Sequence, residues 1–218
     1  AINPPSPEQI DNLPLRLANN ANECPNKVAI IFEGRSITWG ELDRRASQIA
    51  QALRDRGISF GDTVSLMMDN RIEFIENLFG IMRAGAAVSL INTNLHGTQL
   101  VHCISTTNAR VMILGSEHSD VVAAIKGDCD LEEGKDFLIV EDADAPATAN
   151  WGVNFDDVIN RTAPIPGEHI PPLRQQDPAI YIFTSGTTGM PKGTVHLHSH
   201  LIKTADLYAI PTLGINEK

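Results

Sequence analysis

Residues 63–91, TVSLMMDNRIEFIENLFGIMRAGAAVSLI, read as a strand, a helix and a second strand. Gly61-Asp62 turns the chain into Thr63–Met68, an apolar run that predicts a buried strand. Asn70 and Glu73 carry the spacing of a helix-start pair. Phe74, Ile75, Leu78, Phe79 and Met82 then recur at helical intervals, and Gly85 stands where a left-handed residue closes a helix. Ala86–Ile91 is almost wholly apolar, as expected of a strand covered on both faces. A unit of this kind predicts two parallel strands joined by a right-handed crossover.

The same alternation extends in both directions. Upstream, Val28–Phe32, the turn Glu33-Gly34 and Arg35–Thr38 predict a hairpin, preceded by a short helix over Leu13–Ala21 and a proline-rich arm. Thr38 and Glu41 form a capping box ahead of a helix whose apolar face is Leu42, Ala46, Ile49, Ala50 and Leu53, with Gly57 as its stop. Downstream, helices around Gln99–Thr106 and Asp120–Lys126 alternate with strands Arg110–Leu114 and Phe137–Val140. The expected fold class is α/β, a mainly parallel sheet flanked by helices. Between Glu141 and Pro178 six prolines stand among acidic and small residues, with a short helix only near Phe155–Asn160, and a strand follows over Ala179–Phe183. The expected organisation is residues 1–27 as arm and short helix and 28–140 as an α/β subdomain. Residues 141–178 then form a proline-rich connector, and 179–218 open a second subdomain. No internal repeat or low-complexity tract is present.

The 218 residues, 42% apolar and 20% charged, suit a folded chain with a sizeable core and exclude a fibrous or disordered one. A net charge of −10 argues against a nucleic-acid surface or a polybasic membrane anchor. Phe79–Ile91, interrupted by Arg83 and glycines, is too short to span a bilayer, so no transmembrane segment is expected. Cys24, Cys103 and Cys129 are odd in number and far apart, which predicts a reducing, cytoplasmic setting.

Chemistry concentrates in Thr184-Ser185-Gly186-Thr187-Thr188-Gly189-Met190-Pro191-Lys192-Gly193, directly after the last buried strand. Four hydroxyls, three glycines and a lysine suit a polyphosphate. Glycines let backbone N–H groups approach the oxygens, hydroxyls donate short hydrogen bonds and the lysine adds a point charge. Pro191 before Lys192 excludes the Walker A pattern. On composition alone, a solvated turn serves as well as a phosphate cradle.

The order of these residues, from Tyr181 to Gly193, resembles the phosphate-loop signature of the adenylate-forming (AMP-binding) superfamily, which includes acyl-CoA synthetases, luciferases and peptide-synthetase adenylation domains. Pro25–Ile30 followed by Ser36–Leu42 is similar to that family's opening, with Trp39 where a tyrosine is more usual. Gly61–Val64 and Arg83–Ala86 also fall at family-like spacing. Leu90–Leu95 and Leu100–Cys103 most resemble the fatty-acid transport protein branch, similar to long- and very-long-chain acyl-CoA synthetases, although His96 stands where an arginine is expected. The resemblance implies ATP, Mg2+ and CoA as co-substrates. It also implies a two-step reaction through an acyl-adenylate, with Thr184, Ser185, Gly186, Thr187, Thr188, Gly189 and Lys192 holding the β- and γ-phosphates. Because family members run well beyond the loop, the chain resembles the N-terminal piece of a fatty acid–CoA ligase, inactive by itself. Two alternatives stay open. One is a ligase for another carboxylic acid (aryl, amino or carnitine-like); the other is a non-catalytic module binding a nucleotide or partner. An N-terminal piece would also expose apolar surface, so self-association is expected, with or without peripheral attachment to a membrane.

Other features carry less. His196, His198 and His200 alternate, so on a strand they would share a face, but they lack a fourth ligand, and a structural role for His198 is expected. No protein-held metal is expected. His102-Cys103 suggests a thiol nucleophile, although a lone buried cysteine is more often packing. Glu132-Glu133 and the acidic residues of 141–144 read as solvated surface. Nothing fits a dinucleotide Gly-x-Gly-x-x-Gly motif.

Overall fold

The computed structural model of the chain describes residues 10–142, 150–165, 170–184, 189–209 and 211–214. Most of the arm expected at the N-terminus, residues 1–9, lies outside them.

Helix α1 (Leu13–Glu23) precedes an antiparallel hairpin of β1 (Val28–Phe32) and β2 (Arg35–Thr38). The main chain then alternates through α2 (Trp39–Arg54), β3 (Thr63–Met67), α3 (Ile72–Ala84), β4 (Ala87–Leu90), α4 (Gly97–Thr106), β5 (Val111–Gly115), α5 (Ser119–Ala123) and β6 (Phe137–Val140). It continues through β7 (Val153–Asn154), α6 (Phe155–Arg161), β8 (Pro178–Thr184), β9 (Lys192–Leu197) and α7 (His198–Thr204). Strands β3 to β9 form one seven-stranded sheet in the order β7-β6-β5-β3-β4-β8-β9, parallel throughout except for β9.

Alternation along each strand sorts side chains into two cores. Val111 and Ile113 join Leu138 and Val140 on the face covered by α2, α3 and α6. Met112 and Leu114 join Phe137 and Ile139 on the opposite face, under α4 and α5. The sheet is therefore buried on both sides, which explains the continuous apolar runs.

Local signals were mostly honoured. The Thr38 hydroxyl accepts the Glu41 N–H at 3.2 Å while the Glu41 carboxylate accepts the Thr38 N–H at 2.8 Å. Gly85 closes α3 with φ +101. The expected cap at Asn70 did not form: α3 starts after Arg71 with no side-chain cap. Glu73 instead accepts from Arg35 of the hairpin at 2.7 Å, and Arg71 turns to Glu117 and to the carbonyls of Val140 and Glu141, so contacts with distant elements stand in place of the local cap.

Residues 150–165, read as part of a connector, add β7 and α6, and Phe155 and Ile159 of α6 are buried in the core. Likewise β8, expected to open a second subdomain, pairs with β4 in the same sheet (Val88↔Ile180, Leu90↔Ile182). The start and end of the described chain are also tied together. Asn12 caps α1 and donates to the Leu173 carbonyl at 2.9 Å, and Arg16 bridges Asp11 and Asp206.

Helices α2 and α3 pack tightly at Gly80. A Cβ there would lie 2.4 Å from the Ile49 side chain and 3.2 Å from the Ala46 carbonyl oxygen. Gly80→Ala is predicted to destabilise by about 1–3 kcal/mol, overpacking outweighing the roughly 1 kcal/mol of helix propensity that alanine adds. Gly127→Ala, whose Cβ meets nothing within 4 Å, should stay within about 0.5 kcal/mol of wild type. Urea denaturation of the two variants checks both.

Candidate functional site

Parallel strands all end at one edge of a sheet, and α/β proteins bind ligands in the crevice outside those carboxyl ends. Two features occupy that edge here. One is the segment joining β8 to β9; the other is a cleft over β3, β5 and β6.

Thr184 ends β8 and Lys192 begins β9 as register partners, so the two ends of the hydroxyl- and glycine-rich segment lie side by side in an antiparallel pair. Thr184, Gly189 and Lys192 are exposed, and Gly189 has φ +93, a conformation costly for any residue with a Cβ. Ser185, Gly186, Thr187 and Thr188 lie outside the described residues. Helix α4 reaches Gly189 and Pro191. Gln99 Nε2 donates to the Gly189 carbonyl at 3.0 Å, and His102 Nε2 lies 3.0 Å from the carbonyl oxygen of Pro191, which is buried. A carbonyl only accepts, so this contact requires the hydrogen of His102 on Nε2. Sequence reading did not connect Gln99 and His102 to the loop. Their i, i+3 spacing places them on one helix face, but only the paired strands bring that face to residues 189–191.

The cleft has a volume of about 1060 Å³ and is lined by eight carboxylates against three arginines. Its arginines are engaged: Arg35 with Glu73, Arg45 with Glu76 and Asp156, and Arg71 with Glu73, Glu117 and Asp142. Burial, with the neighbouring carboxylates Glu73 and Asp156, pushes the Glu76 carboxyl upward against the pull of Arg45. Such a surface repels a polyphosphate. Asp69, Glu117 and His118 bring ligand atoms within 4.8 Å of one another, but Arg71 already lies 3.4 Å from Glu117.

The three histidines do not share a face, because β9 stops at Leu197 and His198 begins α7. His198 is buried and its Nδ1 faces the Leu13 N–H at 3.4 Å, while His200 Nδ1 accepts the Leu197 N–H at 3.3 Å and its ring meets that of His196 edge-on. The Cys103 thiol, buried under the sheet, is pushed up to about 11 by its loss of solvent, which suits packing rather than nucleophilic attack.

Residues 17–217 match the family described as AMP-binding enzyme. The chain belongs to that family. It is 28% identical over 187 residues to long-chain fatty acid transport protein 2 of Rattus norvegicus, covering 83% of this chain and 29% of that protein. It is 30% identical over 189 residues to the medium/long-chain-fatty-acid–CoA/3-oxocholest-4-en-26-oate–CoA ligase of Mycolicibacterium smegmatis, covering 86% of this chain and 33% of that enzyme. The chain thus spans about a third or less of these relatives. Among solved structures, the anthranilate CoA ligase AuaEII in complex with anthranoyl-AMP superposes with a TM-score of 0.86 at 27% identity, over 95% of this chain and 39% of that one. The branch resemblance read from Leu90–Leu95 and Leu100–Cys103 accords with the transport-protein relatives. No helix among the described residues is long and apolar enough to cross a membrane.

His198 generates a pH prediction. Burial lowers its pKa from 6.5 to about 4, against the opposing pull of Asp177 and Asp11. Below pH 6.5 the unfolded chain takes up a proton that the folded chain refuses, so the His198 contribution destabilises progressively as pH falls from about 6.5 to 4 and levels off below that. Urea midpoints measured across that window should fall less in His198→Gln than in wild type.

Proposed function

We propose that this chain is the N-terminal part of an ATP-dependent fatty acid–CoA ligase. The observation that carries this reading is a loop of superfamily pattern at the carboxyl edge of a family-type sheet, in a chain whose relatives act on or transport fatty acids. In the first step a carboxylate oxygen of the acid attacks the α-phosphorus of ATP, the bond to the bridging oxygen breaks, and pyrophosphate leaves. In the second, the CoA thiol attacks the acyl carbon and AMP departs.

The work assigned to these residues is positioning and charge. Thr184 and the loop hydroxyls donate to the β- and γ-phosphates, loop N–H groups approach them at the glycines, and Lys192 offsets charge that builds on the departing pyrophosphate. Because the whole chain carries net charge −10, this local cation matters more than it would on a basic surface. Magnesium, implied by the family's chemistry, would travel on the triphosphate. Residues 184 and 189–193 offer hydroxyl and carbonyl oxygens but no carboxylate, which suits a hydrated ion rather than a protein cage. In this reading the acyl pocket and the remaining active-site residues belong to segments outside these 218. Further strands, or a second copy, would cover exposed Ile182 of β8 and Val195 of the edge strand β9. The three unpaired cysteines suit a reducing, cytoplasmic compartment.

A second reading, a ligase for an aryl acid, is supported by the likeness to the anthranilate enzyme. A panel of acids in ATP–pyrophosphate exchange distinguishes the two. In the full-length protein, Lys192→Ala is expected to slow adenylate formation in single turnover by about 10-fold or more, with fatty-acid binding little changed. Weakened acid binding at an unchanged rate would overturn the role given to the loop.

A further inference from the structure

We infer that Gln99 and His102 are positioning residues for adenylate formation: from α4 they hold the carbonyls of Gly189 and Pro191 and so set how the Met190 N–H and Lys192 meet the triphosphate. This rests on the reading of the loop as the phosphate site.

Helix α4 is a fixed platform. Leu100, Cys103 and Ile104 are 0%, 0% and 2% exposed and lock its inner face under the sheet, while Gln99 and His102 leave from the flank that meets the loop. The two contacts fall on Gly189 and Pro191, two residues apart. No peptide bond described is cis, and in a planar trans peptide the C=O and the following N–H point in opposite directions. Holding the Gly189 carbonyl toward α4 therefore turns the Met190 N–H away from the helix. Holding the Pro191 carbonyl fixes the peptide plane from which Lys192 departs. Pro191 contributes a locked φ and Gly189 a left-handed turn, so two hydrogen bonds settle a segment with few remaining freedoms. The helix thus acts through the loop rather than on substrate.

The test uses the full-length protein and three readouts: ATP–pyrophosphate exchange with a long-chain fatty acid, amide hydrogen exchange over residues 189–194, and urea stability. His102→Ala and Gln99→Ala should each raise KM for ATP by about two- to tenfold, the span of one neutral hydrogen bond, and leave KM for the fatty acid unchanged. Both should speed exchange at 189–194 while β3 and β5 stay protected. His102→Gln, which again presents an N–H donor, should recover most of the ATP effect. Gly80→Ala serves as the control, losing stability without a change in KM for ATP. Unchanged exchange at 189–194 in both alanine variants would overturn the inference. So would an unmoved KM for ATP where Lys192→Ala does perturb ATP kinetics. If Lys192→Ala is itself silent, the reading of the loop as the phosphate site fails, and the positioning role fails with it.

Discussion

The pairing of β8 onto β4 is the constraint on which the rest depends. Val88, Ser89 and Leu90 run parallel to Ile180, Tyr181 and Ile182, so β8 ends at the same edge as β3, β5 and β6. Were β8 antiparallel to β4, the hydroxyl- and glycine-rich segment would emerge at the opposite edge, remote from the ligand crevice of a parallel sheet. The return strand β9 then anchors the far side of the segment, with Lys192 opposite Thr184. One strand direction thereby decides at which edge of the sheet that segment emerges.

The carboxyl edge is divided electrostatically. Over β3, β5 and β6 the carboxylates outnumber the arginines, and the arginines are all engaged in ion pairs, Arg71 also holding the end of β6 through the Val140 and Glu141 carbonyls. Over β8 the described loop residues carry no acid, and Lys192 is exposed. The anionic cleft discourages a polyphosphate from settling elsewhere along the edge, so the two halves act in the same sense. Ionic strength should blunt that discrimination, because several of the charges are only partly buried.

Much of the fold was legible because both faces of the sheet are covered. Burial on two sides writes strands as apolar runs such as Val111–Leu114, and one-sided helices as periodic ones, so β3 to β6 and α2 to α4 could be read from pattern alone. The family was legible from the residue order of 181–193 and is shown by the match over residues 17–217. What could not be read depended on partners distant in sequence. Arg35 drew Glu73 from the cap expected at Asn70; two-residue β7 is too short to leave a pattern; and the register of β9 placed His198 in a helix rather than beside His196. Gln99 and His102 stayed hidden for the same reason, since their acceptors lie about ninety positions away. Local propensity is written locally, but a hydrogen bond across the fold is written only once the sheet has closed.

The most direct measurement is the structure of the full-length protein bound to a non-hydrolysable ATP analogue. The account predicts the β- and γ-phosphates against residues 184–192, with the Lys192 ammonium within hydrogen-bond reach of a phosphate oxygen. A triphosphate bound elsewhere, with that segment empty, would contradict it.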